Sequence, residues 1–236
     1  MSSLRVIRNT KAVFTKQMLS FFTNMGFYGP AAFFLGLAFL FSILAPGSEE
    51  EVVPQFVILF TGISMISVSA GFIAEDRMTM NLRFMSMAGV RPYQYLIASA
   101  ATLLLIAFAA LLVYGLIGRY SGQDFVDFLI IAMLGAVNSI LLGTTFGLHK
   151  VLSNFAIVIG LLLGIGPNFA EFNETLHNIF FFTYTMQVNL TMRGEAYISD
   201  SVPIMLANTA VILIAFIIMN TRVNLDGERK KRLKVA

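Results

Sequence analysis

Long apolar stretches separated by short polar segments dominate the chain. The apolar stretches run over residues 27–45, 52–73, 92–118, 128–148, 151–165 and 201–221. About 20 apolar residues suffice for a helix to cross the hydrocarbon core of a bilayer. The pattern therefore predicts six transmembrane helices in an all-α membrane protein.

Composition supports this class. Of the 236 residues, 57% are hydrophobic and only 12% are charged, against about 25% charged in soluble domains. No charged segment is long enough to form a soluble domain, so we expect residues 1–236 to form one transmembrane domain. The chain has no cysteine, which excludes disulfides, thiol catalysis and cysteine-ligated metals.

Residues 1–24 combine basic and apolar positions. The apolar residues at helical spacing are Leu4, Ile7, Phe14, Met18 and Phe21, and the basic residues around them are Arg5, Arg8, Lys11 and Lys16. This pattern predicts an amphipathic helix in the headgroup plane of an anionic leaflet. The alternative is a frayed basic tail that precedes the first span.

Residues 74–91 form a polar interruption between the second and third spans. Glu75 and Asp76 open it, and Gly89 followed by Pro92 is a stop signal for a helix. We therefore predict one short helix with the acidic pair at its positive end. Its basic residues are Arg77, Arg83 and Arg91, and its apolar stripe is Met78, Leu82 and Met85. Such a helix is either a lid on the bilayer surface or a docking element for a partner.

Residues 167–200 are ambiguous, because 175–192 lacks charge but contains several polar residues. As a full span this segment would be the seventh helix. With six spans and both termini cytoplasmic, the cytoplasmic segments hold every basic residue except Arg119 and Arg193. The positive-inside rule therefore favours six spans, with 167–200 as an external re-entrant region. We expect it to pack against a partner subunit or to line an exit path, since non-helical backbone at membrane depth needs cover.

The sequence contains no catalytic constellation that we can identify. It has no G-x-x-x-x-G-K-[ST] phosphate loop, and the two histidines, His149 and His177, are predicted on opposite sides of the membrane. No ionisable residue lies in the middle of a predicted span, which argues against an ion-coupled transporter or a charged channel. We therefore expect no enzyme activity, no metal site and no cofactor in this chain.

Small and weakly polar residues recur along the spans. Ser64 and Ser67 lie in the second span, and Asn138 is an amide in the middle of the fourth. Small residues allow helices to approach closely in lipid, so packing within the chain accounts for most of them. We expect Asn138 to find a partner across an interface or a cavity. Phe181 and Tyr184 belong to an outer aromatic cluster, which is either an interfacial belt or a hydrophobic gate.

The whole chain resembles the permease subunits of ABC-2 type ATP-driven exporters. The resemblance rests on the basic N-terminal helix, the two-plus-four arrangement of spans, the broken segment before the last span and, above all, the loop from Glu75 to Leu96. That loop begins E-D-R and ends G-V-R-P-Y-Q-Y-L. The chain departs from such permeases at Ala98 and Ser99, where a lysine is frequent.

The resemblance implies a division of labour between chains. Residues 74–91 would be a coupling helix in a groove of a separate ATPase subunit, which would bind ATP and Mg²⁺. The implied coupling residues are Glu75, Asp76, Arg77, Met78, Leu82, Arg83 and Met85. Two permease subunits, as a homodimer, would enclose a substrate path between spans one, two and five. The residues that we assign to this path are Ser64, Ser67, Asn138, Phe181 and Tyr184.

The resemblance also implies a multi-pass protein of a bacterial plasma membrane, with lipid and the ATPase as partners and no nucleic acid. Short loops favour an amphipathic peptide or a hydrophobic drug as cargo. A scaffold or immunity protein that docks an ATPase without transport is an alternative. An intramembrane protease is disfavoured, since no G-x-S-G-like element lies in a suitable span.

Overall fold

A computed structural model of the chain describes residues 3–170 and 172–222. Helices and turns make up the described structure, with no β-strand, which confirms the all-α class. The first helices are α1 (Ser3–Thr23), α2 (Met25–Leu44), α3 (Glu49–Leu59), a π-helical segment (Phe60–Met65), α4 (Ile66–Met78), α5 (Asn81–Met87) and α6 (Pro92–Ile117). They are followed by α7 (Gly122–Gly147), a 3-10 turn (Leu152–Phe155), α8 (Ala156–Ala170), α9 (Glu174–Phe180), α10 (Tyr184–Met192) and α11 (Ile198–Arg222).

Six helical stretches of the described chain are long and apolar enough to cross a membrane, as predicted. They are Met25–Leu44, Glu51–Met78, Pro92–Ile117, Gly122–Gly147, Leu152–Ala170 and Ile198–Met219. This number indicates a multi-pass membrane protein. The basic tail that entered the topology prediction lies, after Arg222, outside the described residues.

Two predicted boundaries are wrong. The fifth span continues through Pro167 to Ala170, because Gly164 and Gly166 provide room for neighbouring side chains and do not end the helix. The fourth span begins at Gly122 and not at Phe128. Its early acidic residue, Asp124, lies in the first turn, where the helix dipole favours a negative charge.

The second span, formed by α3, the π segment and α4, is the central helix. Between residues 51 and 78 it is buried over most of its length, whereas the first and last spans are mostly exposed. Its C-terminal half, α4, packs against α7, and its π segment packs against α8. The other spans are therefore arranged around it.

Glycine pairs on α7 and α8 bring those helices to the backbone of the second span. A Cβ atom on Gly147 would lie 2.8 Å from the carbonyl oxygen of Ala70, and Gly143, one turn earlier, contacts the same helix. On α8, Gly160 and Gly164 are also four residues apart, and both contact the π segment. Packing within the chain is thus confirmed as the role of these glycines.

Contacts between the connecting segments show which of them lie at the same end of the bundle. At one end, the carboxylate of Glu49 forms an ion pair with Arg119, with 3.2 Å between Oε1 and the guanidinium nitrogen. At the other end, the Arg77 guanidinium donates a 3.1 Å hydrogen bond to the carbonyl oxygen of Gly147. The α2–α3 and α6–α7 turns thus share one end, and the α4–α6 and α7–α8 connections share the other.

Among the described residues between 167 and 200, no helix is long enough to span a membrane apart from α8 and α11, whose ends lie in this range. Instead, α9 and α10 are short, and α10 is buried from Tyr184 to Leu190. Within the chain, α10 is covered by α3, α7, α8 and α11. The amide of Asn208 on α11 also donates a 2.8 Å hydrogen bond to the carbonyl oxygen of Phe182, which fixes the α9–α10 turn.

The single helix predicted over 74–91 is wrong. The acidic pair lies in the last turn of α4, at its negative end, and the helix breaks at Thr79 and Met80. Met80 adopts a left-handed conformation with φ of 58°, so the chain turns before α5 starts. The stop at Gly89 is confirmed: α5 ends at Met87, and Gly89 has φ of 84°.

The close approach of the second span to α8 gives a stability prediction. In Gly62→Ala, the added Cβ would lie 2.6 Å from Cα of Gly164, a backbone atom that has no room to yield. We expect a loss of about 1–3 kcal/mol, the usual cost of overpacking. Thermal unfolding of the purified protein in detergent measures it. Gly36→Ala on α2 is the control, because its Cβ meets no atom within 4 Å. Equal melting temperatures for both variants would contradict this packing.

Candidate functional site

The carboxylate of Asp76 is the centre of a buried polar cluster at the C-terminal end of the second span. Asp76 is 1% exposed. Its Oδ2 accepts hydrogen bonds from Gln17 Nε2 at 2.8 Å and from the Tyr95 hydroxyl at 2.9 Å. Its Oδ1 accepts one from Asn81 Nδ2 at 3.2 Å and pairs with the ammonium of Lys16. One side chain thus joins α1, α4, α5 and α6. We call these five residues the Asp76 cluster.

Local structure explains why these partners converge. Asp76 lies in the last turn of α4, where the helix dipole disfavours a negative charge, so a cation is needed nearby. Lys16 supplies it from the partly exposed edge of α1, and Gln17 lies beside it on the buried face. The left-handed turn at Met80 starts α5 at Asn81, which returns toward the carboxylate.

The cluster satisfies the electrostatic demands of a buried carboxylate. A charge taken out of water is costly unless it is paired and hydrogen-bonded. Here both carboxylate oxygens have partners, and the Gln17 amide also lies 3.4 Å from the Tyr95 hydroxyl and 3.4 Å from Ser99 Oγ. The hydrogen bonds therefore extend from Asp76 into the first turns of α6.

Further hydrogen bonds attach the same region to its surroundings. Asn9 on α1 donates to the carbonyl oxygen of Gly89 at 3.2 Å, and Asn24 donates to Glu75 Oε2 at 3.4 Å. On the other side, Arg77 reaches Ser153 Oγ at 3.4 Å in addition to Gly147. The α4–α6 connection is thus held from both flanks.

An apolar surface remains exposed on this connection. Met78 is 78% exposed, Phe84 59% and Met87 69%, and Met80 lies among them in sequence with a similar exposure. The exposed cation Arg83 belongs to the same α5 helix. We call these five residues the Met–Phe surface. Below it, the apolar side chains of Leu82 and Met85 pack against a small core of Val13, Ile73, Tyr95 and Ala98.

The residues implied for coupling thus fall into two groups. Only Met78 and Arg83 are exposed. Asp76 is buried, Glu75 and Arg77 are partly buried and hydrogen-bonded within the chain, and Leu82 and Met85 face inward. The expected stripe of Met78, Leu82 and Met85 does not exist as one face, because the helix break at Met80 separates Met78 from the other two.

The residues assigned to a substrate path do not form an open path in this structure. Ser64, Asn138 and Tyr184 are at most 2% exposed, while Ser67 and Phe181 are partly buried. Asn138 finds its expected partners on α11, which are the carbonyl oxygen of Met205 at 3.4 Å and the Thr209 hydroxyl at 3.1 Å.

Tyr184 is likewise engaged within the chain. Its hydroxyl lies 2.8 Å from Ser139 Oγ on α7. A route for cargo along Ser64, Asn138 and Tyr184 is therefore closed in this conformation. In the part of the chain that the structure describes, no three His, Asp or Glu side chains are placed to hold a metal ion.

Sequence reasoning missed Gln17, Asn81 and Tyr95. A signal existed for Gln17, which lies four residues after Val13 and four before Phe21, on the one buried face of α1. A polar residue between two buried apolar positions indicates a buried hydrogen-bond partner. Asn81 and Tyr95 carry no comparable signal, because their roles depend on the turn at Met80.

Comparison with protein-family models, with curated proteins and with solved structures gives no match. The functional argument therefore rests on the residues themselves.

The Asp76 cluster predicts a stability effect. Asp76→Asn keeps the shape but removes the charge that Lys16 pairs with. We expect a loss of about 2 kcal/mol, less than the about 3–5 kcal/mol of a fully buried pair because Lys16 is partly exposed. We also expect faster trypsin cleavage at Arg8 and Lys11, since α1 loses its main attachment. Asp124→Asn, at an exposed carboxylate on α7, is the matched control. If the two variants melt and digest alike, the cluster does not hold α1 in place.

Proposed function

We propose that this chain is the membrane-spanning permease subunit of an ATP-driven exporter of the ABC-2 type. A separate ATPase subunit, which binds ATP and Mg²⁺, would supply the energy. The observation that carries the proposal is the Met–Phe surface, an exposed apolar surface on a short connection that the Asp76 cluster holds rigidly. Such a surface suits docking, because a preorganised contact loses little entropy on binding.

The side chains of the Met–Phe surface indicate what kind of groove on the partner would bind them. Methionine side chains adapt to irregular apolar surfaces, and Phe84 supplies a larger anchor. Arg83 adds a positive charge on the same helix, so the groove that receives it would be apolar with an acidic edge. Of the sequence-derived coupling residues, we retain Met78 and Arg83 for this contact. We assign Glu75, Asp76, Arg77, Leu82 and Met85 to holding the connection in shape.

The remaining features of the proposal concern the membrane. We propose a bacterial plasma membrane with both termini and the α4–α6 connection on the cytoplasmic side, in keeping with the distribution of basic residues. In this orientation, α1 lies in the inner interface as an amphipathic helix, with Arg8 and Lys11 exposed toward lipid headgroups. The α9–α10 region is then an external re-entrant segment. A second copy of the chain would complete a path for an amphipathic peptide or a hydrophobic drug.

One observation favours a second candidate function. The burial of Ser64, Asn138 and Tyr184 leaves no open route along these residues. A scaffold or immunity protein that docks the same ATPase without moving cargo would need no such route. Transport by the complex reconstituted in vesicles separates the two functions, since a scaffold supports ATP hydrolysis alone.

The test of docking uses the double variant Phe84→Ser, Met87→Ser and the charge reversal Arg83→Glu. All three side chains are exposed, so we expect unchanged melting temperatures. Recovery of an ATPase subunit with the tagged chain should fall on the order of tenfold, as for loss of an interface hot spot. Mass spectrometry and ATP hydrolysis of the purified complex measure this recovery.

Phe172→Ser is the matched control, because Phe172 is 85% exposed and follows α8, far along the chain from the Met–Phe surface. Equal recovery of the ATPase from the control and the Met–Phe variants would refute the assignment. Absence of any ATPase from the unaltered chain would refute the proposed function as a whole.

A further inference from the structure

The second span contains a π-helical segment, Phe60–Met65, in its middle. In a π turn the hydrogen bonds close over one more residue than in an α-helix, so the turn holds an extra residue and is wider. Such turns are rare and occur mostly as single bulges inside α-helices, frequently at functional sites. Five of the six residues here are buried, which places the wide turn inside the protein.

The backbone of α8 contacts this turn directly. A Cβ atom on Gly160 would lie 3.0 Å from the carbonyl oxygen of Gly62 and 3.2 Å from Cα of Ile63. A Cβ atom on Gly164 would lie 2.9 Å from Cγ1 of Ile63. Because these glycines carry no side chain, the backbone of α8 lies directly against the turn, so any change in the shape of the turn alters this contact.

Two hydroxyl groups, that of Ser64 in the turn and that of Ser67 beside it, lack the hydrogen bonds that neighbouring hydroxyls make. Thr61 and Ser69 donate to the carbonyl oxygens four residues earlier, at 2.8 Å and 2.7 Å. The hydroxyls of Ser64 and Ser67 are buried and have no hydrogen-bond partner. In α-helical geometry, a serine at position 64 would reach the carbonyl oxygen of Phe60 in the same way. In the π segment the Ser64 hydroxyl thus lacks a hydrogen bond that an α-helix offers.

Both flanks of the turn are anchored. On the inner side, α4 is held by the Asp76 cluster and by the Arg77 hydrogen bond to Gly147. On the outer side, α3 begins at Glu49, which pairs with Arg119. A change of backbone conformation in the middle of the span would therefore take place between two flanks, α3 and α4, that stay in position.

We propose that the π segment is a conformational switch in which the extra residue moves along the second span between Phe60 and Ser67. Each residue that it passes rotates by about 100° around the helix axis and advances by about 1.5 Å. The Ser64 hydroxyl gains a carbonyl partner when its turn becomes α-helical. The contact with Gly160 and Gly164 is remade at the same time, so the packing of the second span on α8 changes with the switch.

Hydrogen exchange of the full chain, purified in detergent, tests the switch without any partner. If this test fails, the docking proposal is unaffected. If the docking test fails, the proposed switch is likewise unaffected. We expect amides of residues 60–67 to exchange about tenfold faster than those of 131–139, a comparably buried stretch of α7.

Two variants should shift the equilibrium in opposite directions. Ser64→Ala removes the unpaired hydroxyl of the π state and the bond gained in the α state, so exchange over 60–67 should slow on the order of tenfold. Gly160→Ala places a Cβ against the Gly62 carbonyl and disfavours the π state, so exchange should become faster. Gly36→Ala is the control and should change nothing.

The proposal is overturned if residues 60–67 exchange as slowly as 131–139 in the unaltered chain. It is equally overturned if Ser64→Ala behaves like the control. Should Gly160→Ala fail to fold, Ser64→Ala still decides, since it only shortens a side chain.

Discussion

A buried carboxylate at the negative end of a helix constrains the end of the bundle at which α4 terminates. Both its burial and the helix dipole disfavour the charge of Asp76, so partners must come from elsewhere in the chain. Lys16 and Gln17 supply them from α1, and Tyr95 supplies one from α6. These contacts with Asp76 place α1 against α6, the third span. They also bring Asn81, at the start of α5, back to the carboxylate. The Met–Phe surface lies above Leu82 and Met85, whose side chains pack against the core beneath it.

A second constraint comes from packing in lipid. Burial of apolar surface adds little attraction between helices there, so close van der Waals contact must hold the helices together. The second span meets α7 through Gly143 and Gly147, and α8 through Gly160 and Gly164. The first contact is to regular α-helix and the second to the π segment. These glycines of α7 thus contact regular helix, whereas those of α8 contact a turn that contains the unpaired Ser64 hydroxyl. This difference would suit the proposed permease, whose docking end would stay rigid while the middle of the span rearranges.

Apolar runs were enough to predict the six spans, because length and hydrophobicity alone decide whether a helix crosses a bilayer. The amide of Asn138 was also predictable as a residue in search of a partner, although not that α11 provides it. The errors at Pro167 and over 74–91 share one cause. Whether Gly164 ends a helix or admits Ile63, and whether Met80 turns left-handed, is decided by contacts distant in sequence. For the same reason, the residues proposed for coupling could not be divided into exposed and buried ones from the sequence.

The measurement that tests this account most directly is the reactivity of single introduced cysteines with a membrane-impermeant reagent. The chain has no native cysteine, so only the introduced residue reacts. The exposed positions are Thr15→Cys on α1, Ser86→Cys on α5 and Glu174→Cys on α9. The account predicts labelling of Glu174→Cys in intact cells, and of Thr15→Cys and Ser86→Cys only after permeabilisation. Labelling of Thr15→Cys and Ser86→Cys from opposite sides would contradict the Asp76 cluster. Labelling of Glu174→Cys only after permeabilisation would contradict the proposed orientation.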